Sequence, residues 1–438
     1  MNKTANIRVN TEGFRAINKA DILIDGITLV AGENGCGKST ISKLLYFLYK
    51  TVSNYDNLVK KKLYSNLQDV LRFLDIIQQE ITFSISDRKL RDEFRKEVGE
   101  LRRSLRKTEF LEDELTNWIN LVSKIEYLYL ETDRKSQKTN VSKSVRLKFI
   151  VRDILKIEGT DDDISASFVK IKELINSKFK QSIGKIKSRP TSLFIEELKN
   201  VFSDAKLPKK FEISEYDDLI VSIEKTNLSI PFSIQNAIYI DTPMMIGVED
   251  AHNEHWEDLN EILLRKGFAN NELDKIISSD IIQGDIDVEE GIYSTEEFKF
   301  RRKDGEVFNL LDVATGVKSF SILQLLIKNG VLNDKTLLII DEPESNLHPQ
   351  WIIEYARIIV LLNKELGVKF FLASHNPDMV SAIRYIAEKQ ETLDNVNFYL
   401  ANKIEGKFVY DYQYLNKDID PIFKSFNIAI DRINLYGV

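Results

Sequence analysis

The chain has 438 residues, 43% hydrophobic and 29% charged, so it can bury a sizeable core and has room for two or three domains. Its net charge of −7, from 61 basic and 68 acidic residues, excludes a globally polycationic nucleic-acid binder. The single cysteine, Cys36, excludes a disulfide framework and a cysteine-rich zinc site. No apolar run has the length of a membrane span, and the first residues lack the apolar core of a signal peptide. We therefore expect a cytoplasmic protein with no membrane partner.

The N-terminal segment predicts strand, strand, loop and helix. Residues 6–9 and 21–30 are apolar-rich runs of strand length, and the second run leads into AGENGCGKST. After this segment, Leu44, Leu45, Phe47 and Leu48 recur at helical spacing, which predicts a helix.

The loop between that strand and helix fits the pattern G-x-x-x-x-G-K-[ST] over residues 32–39. Its glycines let the backbone curl so that several N–H groups point inward, and the helix that follows presents its positive end to an anion. Lys38 is expected to reach the β- and γ-phosphates of ATP, and the Ser39 hydroxyl to ligate Mg²⁺. The predicted nucleotide-binding residues are Gly32, Glu33, Asn34, Gly35, Cys36, Gly37, Lys38, Ser39 and Thr40.

Cys36 has two interpretations. It fills a variable position of the loop, or it is a redox-sensitive thiol whose pKa is lowered by the helix N-terminus.

A second strand, residues 337–340, ends in Asp341 and Glu342. Acids at the carboxyl end of a buried parallel strand emerge into the ligand crevice. Asp341 is expected to hold Mg²⁺, and Glu342 to orient or deprotonate the attacking water. The next strand, residues 370–373, is followed by His375, which can donate a hydrogen bond to a γ-phosphate.

The sequence predicts an α/β head interrupted by a helical insert, with boundaries at 1–55, 56–230 and 231–438. The insert is rich in Lys, Arg, Glu and Leu, and its apolar positions Phe94, Val98, Leu101 and Leu105 follow a 4-3-4 spacing typical of coiled-coil-like packing. Residues 135–144 predict a loop and residues 188–191 a break.

The last part predicts strands and helices in alternation, which favours a parallel sheet with crossover helices. The predicted elements are a strand at 236–241, a hairpin at 291–311 turned at 303–306, helices at 319–328 and 351–366, and strands at 336–340 and 369–373.

Residues 32–40, 337–349 and 373–376 together resemble the ABC-type P-loop ATPase heads of recombination and chromosome-maintenance ATPases of the SMC and RecF type. They are most similar to the short bacterial "AAA-type" ATPases of anti-phage and abortive-infection operons. The resemblance covers the two ends of the chain and not the insert. It implies a mixed sheet with flanking helices, and ATP and Mg²⁺ as ligands.

The resemblance also implies a head-to-tail dimer, or a higher homo-oligomer, in which each ATP lies between the phosphate loop of one head and a signature loop of the other. The candidate signature is residues 313–319, with Ala314, Thr315 and Gly316 facing the nucleotide, although the family usually has Ser where this chain has Ala314. The alternative is a plain helix cap by Thr315. Residues 345–348 would cross the dimer interface. For the family's glutamine loop, Asp241 and Thr242 are weak candidates, whereas Gln78 and Gln79 fall in the insert.

Three other patterns favour structural explanations. His252 and His255, near Glu254, lack a third metal ligand. Asp418 and Asp420 resemble the paired acids of a nuclease, but too little chain follows His375 for the nuclease domain of the overcoming-lysogenization and Gabija types.

Basic runs in the insert are either solvated helix faces or a nucleic-acid interface. They are Arg88, Lys89, Arg91, Arg95, Lys96, Arg102, Arg103, Arg106, Lys107, Lys178, Lys180, Lys185, Lys187 and Arg189.

The sequence thus predicts an ATP-hydrolysing switch subunit of an anti-phage complex, similar to the Septu and PARIS ATPases, that controls a separate nuclease or toxin. The alternative is a repair or recombination ATPase that acts directly on DNA. A transporter ATPase subunit is disfavoured by the insert and the divergent signature.

Overall fold

A computed structural model describes residues 7–85, 87–105, 110–135, 164–202, 206–246, 254–267, 272–290, 296–424 and 435–436. The chain divides into two compact units. The first, here called the head, combines Met1–Ser53 with Pro190–Val438, and the second, the helical unit, is Asn54–Arg189. The predicted loop at 135–144 lies almost entirely outside the described residues.

The head is built on a mixed ten-stranded sheet of order β5-β4-β1-β2-β13-β12-β3-β11-β10-β6, and a separate three-stranded sheet of order β7-β8-β9. The strands are β1 Ile7–Phe14, β2 Ile17–Leu23, β3 Ile27–Gly32, β4 Lys210–Glu215, β5 Asp218–Ser222, β6 Asn236–Ile240, β7 Gly284–Glu290, β8 Glu296–Arg302, β9 Val307–Asn309, β10 Thr336–Asp341, β11 Lys369–Ser374, β12 Val396–Lys403 and β13 Tyr410–Asn416.

The centre of the large sheet is parallel. Strands β12, β3, β11, β10 and β6 run in the same direction, in that order. Every residue of β3 and β10 is buried, as expected for strands that are covered on both faces, and this explains their unbroken apolar sequences. The predicted parallel sheet is therefore confirmed, and so is the hairpin of β8 and β9.

Helices flank the sheet and end at recognisable signals. The head helices are α1 Lys38–Ser53, α6 Thr191–Phe202, α7 Glu254–Leu263, α8 Glu272–Lys275, α9 Thr315–Lys328, α10 Pro349–Leu366 and α11 Pro377–Lys389. Helix α10 begins with proline after the cap His348 and ends at Gly367, whose φ is +70°. Helix α9 starts four residues before the predicted start at 319.

The helical unit contains α2 Tyr55–Ser84, α3 Arg88–Ser104, α4 Leu111–Lys135 and α5 Ile164–Ser188. These helices share one apolar core, which includes Phe94, Val98 and Leu105 of the predicted seam. Leu101, also in the seam, packs partly buried against it. The seam residues therefore face a common core, which accounts for their helical periodicity.

Two predicted boundaries differ from the structure. The helical unit ends at Arg189 and not at 230, because α6, β4 and β5 belong to the head and β4 pairs with β1. The run at 21–30 is two strands, since the chain turns between β2 and β3 at Gly26. There φ is +64°, and a Cβ would lie 2.3 Å from the Asn395 carbonyl oxygen, so only glycine fits.

The predicted fold class, an α/β head with a mixed sheet, flanking helices and a largely helical insert, is confirmed. No helix among the described residues has both the length and the apolar character needed to span a membrane.

Candidate functional site

The phosphate loop joins the end of β3 to the start of α1. Gly35 and Gly37 have φ of +81° and +99°, in the left-handed region that favours glycine. At Gly37 a Cβ would also lie 3.0 Å from Ile17, and at Gly32 it would lie 2.9 Å from Ala401 of β12. The loop therefore needs glycine both for its curl and for its close packing against neighbouring strands.

Lys38 is folded back over this loop. Its Nζ donates hydrogen bonds to the carbonyl oxygens of Gly32 at 2.8 Å and Glu33 at 3.0 Å, and only 7% of the residue is exposed. From β13, the Tyr412 hydroxyl donates to the Cys36 carbonyl at 2.9 Å. An ammonium held on loop carbonyls can exchange these partners for phosphate oxygens, which bind it more strongly because they are charged.

Cys36 is fully buried in the loop. Burial raises the pKa of its thiol, and the nearby Lys38 ammonium offsets this only in part. The structure therefore contradicts the alternative of a thiol activated by the helix N-terminus and supports a loop-filling side chain.

Asp341, at the end of β10, lies against the first turns of α1. Ser42 donates a hydrogen bond to Oδ1, and the Tyr239 hydroxyl donates to Oδ2 at 2.9 Å. Burial raises the pKa of Asp341, although hydrogen bonds from Ser42, Ser39 and Tyr239 act against it. A buried carboxylate beside the Ser39 hydroxyl supplies the hard oxygen ligands that Mg²⁺ prefers, so these residues fit a magnesium site.

Glu342 and His375 follow β10 and β11. The Glu342 N–H still donates to the Ala373 carbonyl, at 2.8 Å, and its φ is +50°, so the chain turns sharply here. Its side chain is 47% exposed, and its Oε1 lies 3.7 Å from His375 Nδ1. A half-exposed carboxylate beside an imidazole, at the carboxyl end of a parallel sheet, is in the place where a general base is expected.

The candidate signature segment opens α9. Ala314 is exposed and stands at the N-cap position without a side-chain cap, and Thr315 is the first helical residue, so the alternative of a cap by Thr315 is wrong. Gly316 is buried, and a Cβ there would lie 2.8 Å from the ring of Trp351. Lys318 Nζ donates to the Leu311 carbonyl at 2.8 Å. Gly316 and Lys318 thus fix the segment to the head, whereas Ala314 is exposed.

Three buried residues of the site escaped the sequence analysis: Ser42, Tyr239 and Glu344. Ser42 lies one turn after Ser39 on α1, a spacing that could have identified it. Tyr239 is near the end of β6, the strand beside β10. Glu344 accepts hydrogen bonds from the Ser374 hydroxyl and the His375 N–H. Tyr239 and Glu344 reach the site through the pairing of β6 with β10 and of β10 with β11, which the sequence alone does not specify.

Asp241, the weak glutamine-loop candidate, follows β6 and therefore lies at the same edge as Asp341. Burial would raise its pKa, but hydrogen bonds from His255 and Trp256 hold the pKa below its usual value. The pairing with Asp241, at 3.0 Å, gives His255 a structural role. His252 lies outside the described residues, and among those described no cluster of three metal-ligating side chains occurs.

The remaining candidates are placed as follows. Gln78 and Gln79 are in α2 of the helical unit. Asp418 accepts a hydrogen bond from the Asp420 N–H at 3.0 Å, as in a polar turn. In α3, Arg102 pairs with Asp75, whereas Lys180, Lys185 and Lys187 of α5 are exposed. Arg106 and Lys107 lie outside the described residues.

Comparison with known proteins identifies the family. Residues 27–381 match the family described as "AAA domain, putative AbiEii toxin, Type IV TA system". The chain belongs to this family. Membership in this AAA family and the phosphate-loop geometry together make the chain a P-loop ATPase-type protein. A search of curated proteins gave no match.

The solved structures to which the chain shows a similarity include SMC head domains. One is the Smc head domain with an extended coiled coil bound to the C-terminal domain of ScpA from Pyrococcus furiosus, at 12% identity and a TM-score of 0.36, covering 98% of this chain and 99% of that chain. Another is the SMC head domain from Thermotoga maritima, at 12% identity and a TM-score of 0.27. That match covers 47% of this chain and 64% of that chain.

Proposed function

We propose that the chain binds ATP with Mg²⁺ and hydrolyses it at the edge formed by the ends of β3, β10 and β11. One observation carries this proposal. The parallel pairing of these strands brings Lys38, Asp341, Glu342 and His375 to one edge of the sheet. Phosphoryl transfer needs a cation that binds the phosphates, a carboxylate that holds the metal ion and a carboxylate that activates the attacking water, all close together.

Each residue has one role. The N–H groups of the loop and the start of α1 hold the phosphates, and Lys38 leaves its two carbonyls to bind the β- and γ-phosphate oxygens. Ser39 and Asp341 hold Mg²⁺, which when bound neutralises phosphate charge. Glu342 accepts the proton of the attacking water, and His375 donates a hydrogen bond to the γ-phosphate.

Hydrolysis serves as a switch between two states of a head dimer. Ala314, Thr315 and Gly316 of one head contact the nucleotide of the other, and residues 345–348 lie at the interface. These contacts need a γ-phosphate, so they exist in the ATP state only and bias the dimer toward closure. The exposure of Ala314, just before α9, supports this assignment.

The biological role that we propose is the cytoplasmic ATPase subunit of an anti-phage complex whose damage is done by a separate nuclease or toxin. The description of the family as a toxin of a type IV system supports a defence setting. The alternative is a repair ATPase that binds DNA or RNA directly, and the exposed lysines of α5 support it.

Two substitutions test the catalytic assignment. We expect Lys38→Ala to lose ATP binding, and Glu342→Gln to bind ATP, turn over at least about 100-fold more slowly and accumulate ATP-bound dimers. Binding is measured by calorimetry, turnover by phosphate release and dimers by light scattering. Glu354→Gln on α10 is the control, because it removes a carboxylate whose ion pair among the described residues is with Arg357. Normal turnover of Glu342→Gln would show that Glu342 does not accept the proton of the attacking water.

The partner is tested by purifying tagged Glu342→Gln protein expressed from its own genetic locus, with ATP, and reading the complex by native mass spectrometry. A stoichiometric second protein supports the defence complex. A dimer that carries only nucleic acid supports the repair alternative instead.

A further inference from the structure

Glu344 is a buried carboxylate next to the catalytic edge, with no role in the reaction described above. Its side chain is only 4% exposed. Its Oε1 accepts hydrogen bonds from the Ser374 hydroxyl at 2.9 Å and from the His375 N–H at 3.0 Å. The same oxygen lies 3.5 Å from His375 Nδ1. One oxygen of Glu344 therefore contacts the backbone and the ring of His375.

The two carboxylates around His375 differ in their surroundings. Glu342 is half-exposed and free to meet a water, whereas Glu344 is enclosed. A buried carboxylate is unfavourable unless hydrogen bonds compensate it, and here two donors come from the segment that carries His375. The other oxygen, Oε2, is buried and has no hydrogen-bond partner among the residues that the structure describes. Its burial without a partner indicates that packing alone does not explain an acid at this position.

Glu344 also contacts both loops that form the site, which are the loop after β10 and the loop after β11. Its own carbonyl accepts the Leu347 N–H at 3.1 Å, within the loop that follows β10. The Ser374 hydroxyl that it binds accepts in turn the Asn376 N–H at 3.1 Å, and Asn376 caps α11. Glu344 therefore connects the loop after β10 to the segment that carries His375.

We propose that Glu344 is a positioning residue for the reaction, which fixes the His375 ring opposite Glu342 through its hydrogen bonds to Ser374 and His375. This inference rests on the proposed ATP hydrolysis. Glu344 does not touch the substrate and acts through His375.

The test compares wild type, Glu344→Gln, His375→Ala and the double variant, with Glu354→Gln as the control. Glutamine keeps the shape, but it replaces a charged acceptor with a neutral one, so the hydrogen bonds from the Ser374 hydroxyl and the His375 N–H become weaker. We expect kcat of Glu344→Gln to fall about 10-fold or more, with the KM for ATP within about twofold. In the His375→Ala background the same change should have almost no further effect, because residues that act as a unit are not additive. Unchanged kcat, or full additivity, would overturn the proposal.

A second measurement does not depend on turnover. The chain has only four histidines, so the ring signals of His375 can be assigned by NMR of labelled protein with a His375→Gln variant as reference. Glu344→Gln should shift the His375 signals and leave those of the other described histidines in place. If wild type hydrolyses no ATP, the proposed function fails, and the spectrum still decides whether Glu344 positions the ring. Unshifted His375 signals would refute the positioning role alone.

Discussion

At the scale of single residues, surroundings decide the chemistry of neighbours in the same loop. Cys36 and Lys38 are two positions apart and both are buried. The lysine has two carbonyl partners and remains available for a phosphate, whereas the thiol is desolvated and its pKa is raised. The same loop thus contains a lysine that can bind a ligand and a buried thiol whose pKa is raised.

This difference predicts how the protein reacts with thiol reagents. Only the thiolate reacts, so a raised pKa means that Cys36 reacts slowly at pH 7 and that its rate keeps rising at a pH where a free thiol has levelled off. We expect native protein to react with Ellman's reagent at least about 10-fold more slowly than unfolded protein. Because the chain has one cysteine, the absorbance of the product released from the reagent reports the reaction of Cys36 alone. Equal rates would show that the thiol is accessible.

At the scale of elements, the start of α9 depends on its contact with α10. Gly316 lies in the first turn of α9 and faces the ring of Trp351 in the first turn of α10. Trp351 in turn packs edge-on against Phe320, one turn further along α9. The two helix starts are therefore fixed to each other, and both flank segments that we assign to the dimer interface.

Gly316→Ala should disturb this contact. A Cβ 2.8 Å from the indole ring forces the ring to move, and overpacking of this kind costs about 1–3 kcal/mol. We expect a lower unfolding temperature, measured by circular dichroism. The control is Gly184→Ala in α5, where a Cβ meets open space and the better helix propensity should stabilise by about 0.5–1 kcal/mol. A Gly316→Ala protein as stable as wild type would show that the packing is loose.

At the scale of the whole molecule, the boundary of the helical unit has a measurable consequence. Residues 190–222 belong to the head, where Phe194 of α6 stacks between Phe47 and Phe211 at centroid distances of 6.0 and 6.2 Å. Strand β4 also covers the edge of β1. The head is therefore complete only with this segment.

Two deletions distinguish a helical unit that ends at residue 189 from one that ends at residue 230. Replacing residues 54–189 with a flexible Gly/Ser linker should leave a soluble head with cooperative thermal unfolding and ATP binding. Replacing residues 56–230 should give insoluble protein, because it removes β4 and β5 and exposes the edge of β1. Solubility, thermal unfolding and calorimetry with ATP distinguish the two. A soluble, ATP-binding product of the longer deletion would contradict the assignment of β4 and β5 to the head.

The sequence predicted well what depends on local pattern. The phosphate loop, β10 and β11 are continuous motifs, and the burial of the two strands follows directly from their apolar runs. It missed Tyr239, Glu344 and Tyr412 because each comes to the site through pairing or turns between distant segments. It also merged β2 and β3 into one strand, since apolar residues flank a turn whose main signal is a single glycine, Gly26.

The strand order has a consequence for how the protein is made. Strands β2 and β3 are consecutive in the chain, but β13 and β12 lie between them in the sheet. On the ribosome, β3 and its phosphate loop emerge long before Ala401 and Tyr412, which pack on that loop. The helical unit, with local contacts, can fold meanwhile. A nascent chain that ends before β11 therefore contains the whole phosphate-loop sequence, but its apolar β3 lacks both neighbouring strands until β11 and β12 have been made.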